Sequence, residues 1–163
     1  MRFPSLTGAM AAAAVLLAIA VPGSVASADG PFTSMAGNWS GGGTITVNNN
    51  KERLRCRASY TTKNAGSTVD LDITCAGDSY KFNLSGGVNY VNGSINGNWS
   101  ESAHGAAGTI SGSASSGSIR ANATGPYFSA LLNMRTTGNS QSVSLSSPGS
   151  QISSVNISLA RAK

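Results

Sequence analysis

Charge is what this chain has least of. Only 10% of its 163 residues are Asp, Glu, Lys or Arg, against about 25% in an ordinary soluble domain. Surface helices laced with ion pairs are excluded by that scarcity. Acids are the scarcest charges, six in all and scattered, so a calcium site, which needs many carboxylate and carbonyl oxygens, has no local sequence to form it. One histidine and two cysteines are too few for a zinc centre. No metal and no other cofactor is expected. Apolar runs are short once Val21 is passed, and a membrane-crossing helix needs about 20 apolar residues, so the chain is not expected to be membrane-spanning.

The early apolar run has its own meaning. Arg2 precedes an apolar stretch from Ala9 to Val21, which Pro22 and Gly23 end, and Val25-Ala26-Ser27-Ala28 follows. A positive start, a short apolar core and an A-x-A site describe a signal peptide, residues 1–28, cleaved after Ala28. The expected location is periplasmic or secreted. Residues 29–163 then suit one domain with its own core.

What fills that domain is glycine, 20 residues of it, with abundant Ser and Asn. Aliphatic or aromatic residues interrupt them at a period of two, the rhythm of strands. Trp39, Gly41, Gly43, Ile45 and Val47 alternate with polar residues, and Asn48-Asn49-Asn50 then offers a turn. Leu54, Cys56, Ala58 and Tyr60 share the next face, and Val69, Leu71, Ile73 and Cys75 the one after; Tyr80, Phe82 and Leu84 continue the period. Further strands are expected over 94–101, 108–114, 118–124, 140–146 and 153–160, separated by Asn-Gly, Ser-Gly and Pro-Gly turns. The stretch 127–134 admits a short helix, but a strand with Phe128, Ala130, Leu132 and Met134 inward is favoured.

Short hairpin connections throughout favour an all-β, antiparallel up-and-down barrel of about 8–10 strands over the alternative, a β-sandwich with longer crossings. Outward positions are Ser, Thr or Asn, the reverse of a transmembrane barrel. Cys56 and Cys75 lie equidistant from Ala65-Gly66. If those two residues form a hairpin tip, the sulfurs face each other, and a directly opposed pair without hydrogen bonds brings Cα atoms to about 4.5 Å, within disulfide range. A disulfide agrees with export to an oxidising compartment.

Chemistry is thinly provided. His104 sits beside Glu101 in a Gly-rich stretch and reads as a surface-loop residue; serines are too many for one to stand out as a nucleophile. No catalytic residue is assigned and no enzyme is expected. Two binding surfaces remain. Trp39, Tyr60, Tyr80 and Trp99 are candidate ligand-binding residues inside the barrel, which at this strand number is either filled or holds one small ligand. Lys51, Arg53 and Arg55 project outward as an anion-binding strip, while Arg57 is expected to reach Asp72 diagonally across the hairpin. The net charge of +5 permits contact with anionic surfaces, though an exported protein does not meet cytosolic nucleic acid. The partner is thus a small apolar ligand or an anionic envelope component. The favoured reading is a non-enzymatic binding protein; the alternative acts through its surface, as an envelope interaction protein or a barrel-type protease inhibitor that inserts residues 29–35 into an enzyme cleft.

Two resemblances accompany this reading. Gly37-Asn38-Trp39, opening the first strand of the mature domain, resembles the calycin (lipocalin and avidin) barrels, and implies a tryptophan that closes one barrel end. With Ser40 it forms a quartet, Gly37-Asn38-Trp39-Ser40, that recurs as Gly97-Asn98-Trp99-Ser100. The segments Glu52 to Tyr60, Cys75-Ala76 with Asp78 to Phe82, and Gly97 to Glu101 together resemble a group of uncharacterised secreted proteobacterial proteins. That resemblance implies the same domain limits and disulfide, and no activity.

Overall fold

The computed structural model describes residues 28–163; the expected signal peptide, residues 1–28, lies outside them except for Ala28. A 3-10 turn at Thr33–Met35 precedes ten strands: β1 (Gly37–Val47), β2 (Asn50–Lys63), β3 (Thr68–Ala76), β4 (Lys81–Val91), β5 (Ser94–Glu101), β6 (Ala106–Ser115), β7 (Ser118–Gly125), β8 (Phe128–Thr137), β9 (Ser140–Ser146) and β10 (Ile152–Arg161). Each strand pairs antiparallel with its successor, and β1 also pairs with β10, closing an up-and-down barrel. One closed sheet replaces the sandwich alternative and leaves no unpaired edge. The ambiguous stretch after Tyr127 is β8, with Phe128, Ala130, Leu132 and Met134 on its inner face.

The β2–β3 hairpin sets the inner face. Ala65 and Gly66 form its tip with φ of 52° and 80°, and the Ser67 N–H donates to the Asn64 carbonyl at 3.1 Å. Cys56 falls opposite Cys75, their sulfurs are bonded, and their Cα atoms lie 4.2 Å apart. Leu54, Cys56, Ala58 and Tyr60 are buried while the residues between them are exposed or half-exposed. A one-residue slip would invert that pattern.

The outer face departs from expectation at one place. Arg57 makes no ion pair with Asp72: among the described residues the ion pairs are Lys63–Asp70 and Glu101–His104. Asp72 instead accepts a 2.7 Å hydrogen bond from Ser85 Oγ on β4. A neutral hydroxyl one strand away satisfies the carboxylate without ordering a long arginine, whose loss of rotamer freedom offsets the small gain of an exposed pair.

Inward glycines let neighbouring strands crowd together. A Cβ at Gly108 on β6 would overlap the Thr124 carbonyl of β7 and come within 2.9 Å of the Trp99 indole nitrogen. Glycine there makes room for the tryptophan.

Candidate functional site

The two barrel ends differ. At one end, residues 30–36 fold across the opening. Gly30 and Phe32 N–H donate to the Ala65 and Gly66 carbonyls at 2.7 and 3.1 Å, and Gly117 N–H donates to the Pro31 carbonyl at 3.2 Å. Phe32 and Met35 are thereby buried completely, at 0% and 1% exposure. Trp39 donates from Nε1 to the Met35 carbonyl at 2.8 Å. Arg161, the last residue of β10, lies 4.2 Å from the centre of the Trp39 ring and donates to the Ala36 and Ser34 carbonyls. Backbone bonds, an apolar plug and a cation over an aromatic face all close this end.

Beneath the plug sits a polar relay. Tyr60 Oη donates to Gln141 Oε1 at 2.8 Å, and Gln141 Nε2 donates to Thr136 Oγ1 at 2.9 Å. All three residues are buried, so each of these bonds removes a desolvation penalty. Burial pushes the Tyr60 hydroxyl well above the ordinary phenol range, and the Gln141 hydrogen bond offsets only part of the rise. Trp39 and Tyr60, two of the four predicted ligand residues, are therefore committed to closing and bracing the barrel. The segment from Asp29 to Met35, expected by the inhibitor reading to project, packs into its own barrel.

At the other end, among the described residues, only turns connect the strands, at 48–49, 77–80, 102–105, 126–127 and 147–151. Ile73, Leu84, Leu132 and Leu145 are inward by register, since Ile73 pairs with Ala58 and Leu84 while Leu132 pairs with Ala121 and Leu145. Yet each keeps part of its surface accessible, as does Phe128 near the rim. These partly accessible side chains lie toward the end that the plug does not cover, packed against the buried core.

Tyr80 and Trp99 stand at this mouth. Trp99 is 8% exposed, lies beside Gly108 and Gly125, and meets Phe128 edge-on at 5.9 Å and 72°. Its Nε1 is buried and has no hydrogen-bond partner. An unmet buried donor costs about 1–3 kcal/mol, and this one is packed against the β6 backbone at Gly108. The two Gly-Asn-Trp-Ser copies thus have different fates: Trp39 is third in β1 at the plugged end, Trp99 sixth in β5 near the mouth. Tyr80 stacks on His104 at 4.8 Å and 9°.

Glu101 organises that rim. Its Oε1 accepts from the Asn83 and Ala103 N–H groups at 2.7 and 2.9 Å, and its Oε2 from the His104 N–H and Nδ1 at 2.8 Å each. An ionised carboxylate only accepts, so Nδ1 carries the proton. Burial alone would raise the Glu101 carboxyl, but the bonds from Asn83, Ala103 and His104 hold it below the usual carboxylate range. Tyr80 titrates above the ordinary phenol range, through burial first and the Glu101 charge second. Glu52 does similar work at the neighbouring turn, where its Oε2 accepts from Ser79 N–H and Oγ at 3.1 and 2.7 Å.

Lys51, Arg53 and Arg55 are exposed on the outer face of β2, in line with Arg57. Sequence reasoning missed Phe32, Met35, Gln141 and Thr136; the plug has no period to read, and a lone inward Gln gives a signal only once the β9 register is known.

No family model and no curated protein matches this chain. Among solved structures, it is similar to Rv2717c from M. tuberculosis, with a TM-score of 0.65 and 12% identity over 80% of this chain and 94% of that one. It is also similar to the S-type phycobiliprotein lyase CPES from Guillardia theta, with a TM-score of 0.53 and 10% identity over 81% of this chain and 90% of the other. Both neighbours are ten-stranded barrels of the calycin kind, and the shared feature is the fold: this chain is a closed, ten-stranded calycin-like barrel.

Proposed function

We propose that this is a non-enzymatic periplasmic or secreted binding protein, one of a group of secreted proteobacterial proteins, that takes a small apolar molecule into the open end of its barrel. The observation that carries the reading is the set of inward side chains, Ile73, Leu84, Leu132 and Leu145, that remain accessible while the opposite end is sealed by Phe32 and Met35. Apolar lining with few polar groups is the usual constitution of a small-molecule site. The Glu101 carboxylate at the rim disfavours an anionic guest.

Titration with the neutral fluorophore N-phenyl-1-naphthylamine tests this. Saturable quenching of tryptophan emission at one probe per chain is expected, with the Trp99 contribution absent from Trp99→Phe. Enlarging an inward side chain with Leu132→Trp is expected to weaken probe binding about 10-fold or more, the equivalent of about 1.4 kcal/mol. A folded wild-type protein that shows no saturation has no such site.

A further inference from the structure

The outer wall of the barrel carries a second, differently built surface. Strands β6 to β10 and β1 contain no Asp or Glu, and neither do the turns that join them. The single acid of β2, Glu52, is engaged with Ser79 at the rim. Six cations nevertheless project from this region: Lys51, Arg53, Arg55, Arg57, Arg120 and Arg135 are all exposed, and none makes an ion pair among the described residues.

Register arranges four of them into a frame. One rung runs Arg135, Ser142, Ser158, Gly42, Arg55 across β8, β9, β10, β1 and β2. The next runs Arg120, Asn133, Ser144, Asn156, Thr44, Arg53, beginning one strand earlier on β7. Each rung has an arginine at both ends and only hydroxyls, amides or glycine between. With neighbouring strands about 4.8 Å apart, the arginines of a rung are roughly 19 and 24 Å apart along the curved wall, four and five strands round a ring of ten, so Arg53 and Arg55 face away from Arg120 and Arg135. Arg120 and Arg135 are diagonal neighbours, about 7–8 Å apart at the backbone, and they flank a groove of about 450 Å³ that also takes in Asn133, Ser142, Ser144 and Asn156.

We propose that this wall binds an acidic polysaccharide, seated in the groove between Arg120 and Arg135. Guanidinium groups pair in bidentate fashion with carboxylate or sulfate. The Ser and Asn side chains between them match the hydroxyls of a sugar chain, which offer donors and acceptors at similar density. An anionic membrane fits less well, because the outward side chains of the groove are Arg, Ser and Asn and the large apolar side chain exposed beside it, Leu131, stands alone. The surface lies on the outer face of the barrel and is independent of any guest taken inside.

The test is affinity for polygalacturonate and dextran sulfate, with neutral dextran as the blank, at several salt concentrations. Wild-type protein is expected to bind both polyanions with an affinity that falls as salt rises. Arg120→Gln/Arg135→Gln is expected to bind about 10-fold more weakly, or worse, two charge-assisted contacts being lost. Lys63→Gln/Lys163→Gln, which removes the same charge elsewhere, should bind nearly as wild type, and thermal melting should show both variants folded. Equal weakening in the two variants means attraction by net charge alone and overturns the site. Failure to bind either polysaccharide overturns it too, as does binding to phosphatidylglycerol vesicles in their place.

Discussion

Glu101 shows how much one side chain decides at the rim. Four donors converge on its two oxygens, from the backbone of Asn83, Ala103 and His104 and from the His104 ring. The sequence shows the acid three positions before the histidine, which suggests a pair, but backbone amides leave no mark in a sequence and the Asn83 contact depends on the β4–β5 register. Because these bonds require the ionised form and depress the folded carboxyl below its unfolded value, the unfolded chain binds more protons between the two. Their stabilisation is complete above about pH 4.3, the ordinary Glu value, and is lost as pH falls through the depressed folded value. Melting temperatures from pH 7 down to 3 should therefore fall more steeply for the wild type than for Glu101→Gln, which carries no titrating group. Parallel curves would mean that the carboxylate contributes nothing there. The same scale explains the absent Arg57–Asp72 pair: strand alternation places both side chains outward, and only the rotamers decide whether they meet.

Strands were far more legible than the segment that closes them off. Alternation of apolar and small residues carries its own proof, since any shift exposes the apolar set, and the Cys56–Cys75 pairing fixes the register of one hairpin. The plug has no such internal check. Gly30-Pro31-Phe32-Thr33-Ser34-Met35 is too short to show a period, and its partners, the carbonyls of Ala65 and Gly66 and the amide of Gly117, come from turns distant in sequence. Phe32 is nonetheless among the largest fully buried side chains. Phe32→Ala is expected to lower unfolding free energy by about 3–5 kcal/mol, the range for buried Phe truncation, read from the urea midpoint at unchanged slope. A loss below about 1 kcal/mol, the range of surface substitutions, would show that the segment rests on the barrel without sealing it.

Across the whole molecule, nine of the ten strand pairings join neighbours in sequence, and only β1 with β10 must bring the chain's ends together. Alternation announced the barrel, yet it could say only which side chains face inward, not that the segment before β1 covers one end. The disulfide plays a narrower part than its position suggests. It joins two strands that already share a ladder from Arg55↔Ala76 to Lys63↔Thr68, so it constrains the unfolded chain across a separation of 19 residues more than it shapes the native one. A loop of that size corresponds to about 3 kcal/mol, less than the roughly 5–15 kcal/mol of a typical domain, and the closed hydrogen-bond circuit does not pass through it. Cys56→Ala/Cys75→Ala should keep its β-sheet circular dichroism and its probe binding while unfolding at lower urea by that amount. Were the double variant unfolded without denaturant, the hairpin, and not closure of β1 on β10, would be what holds this barrel together.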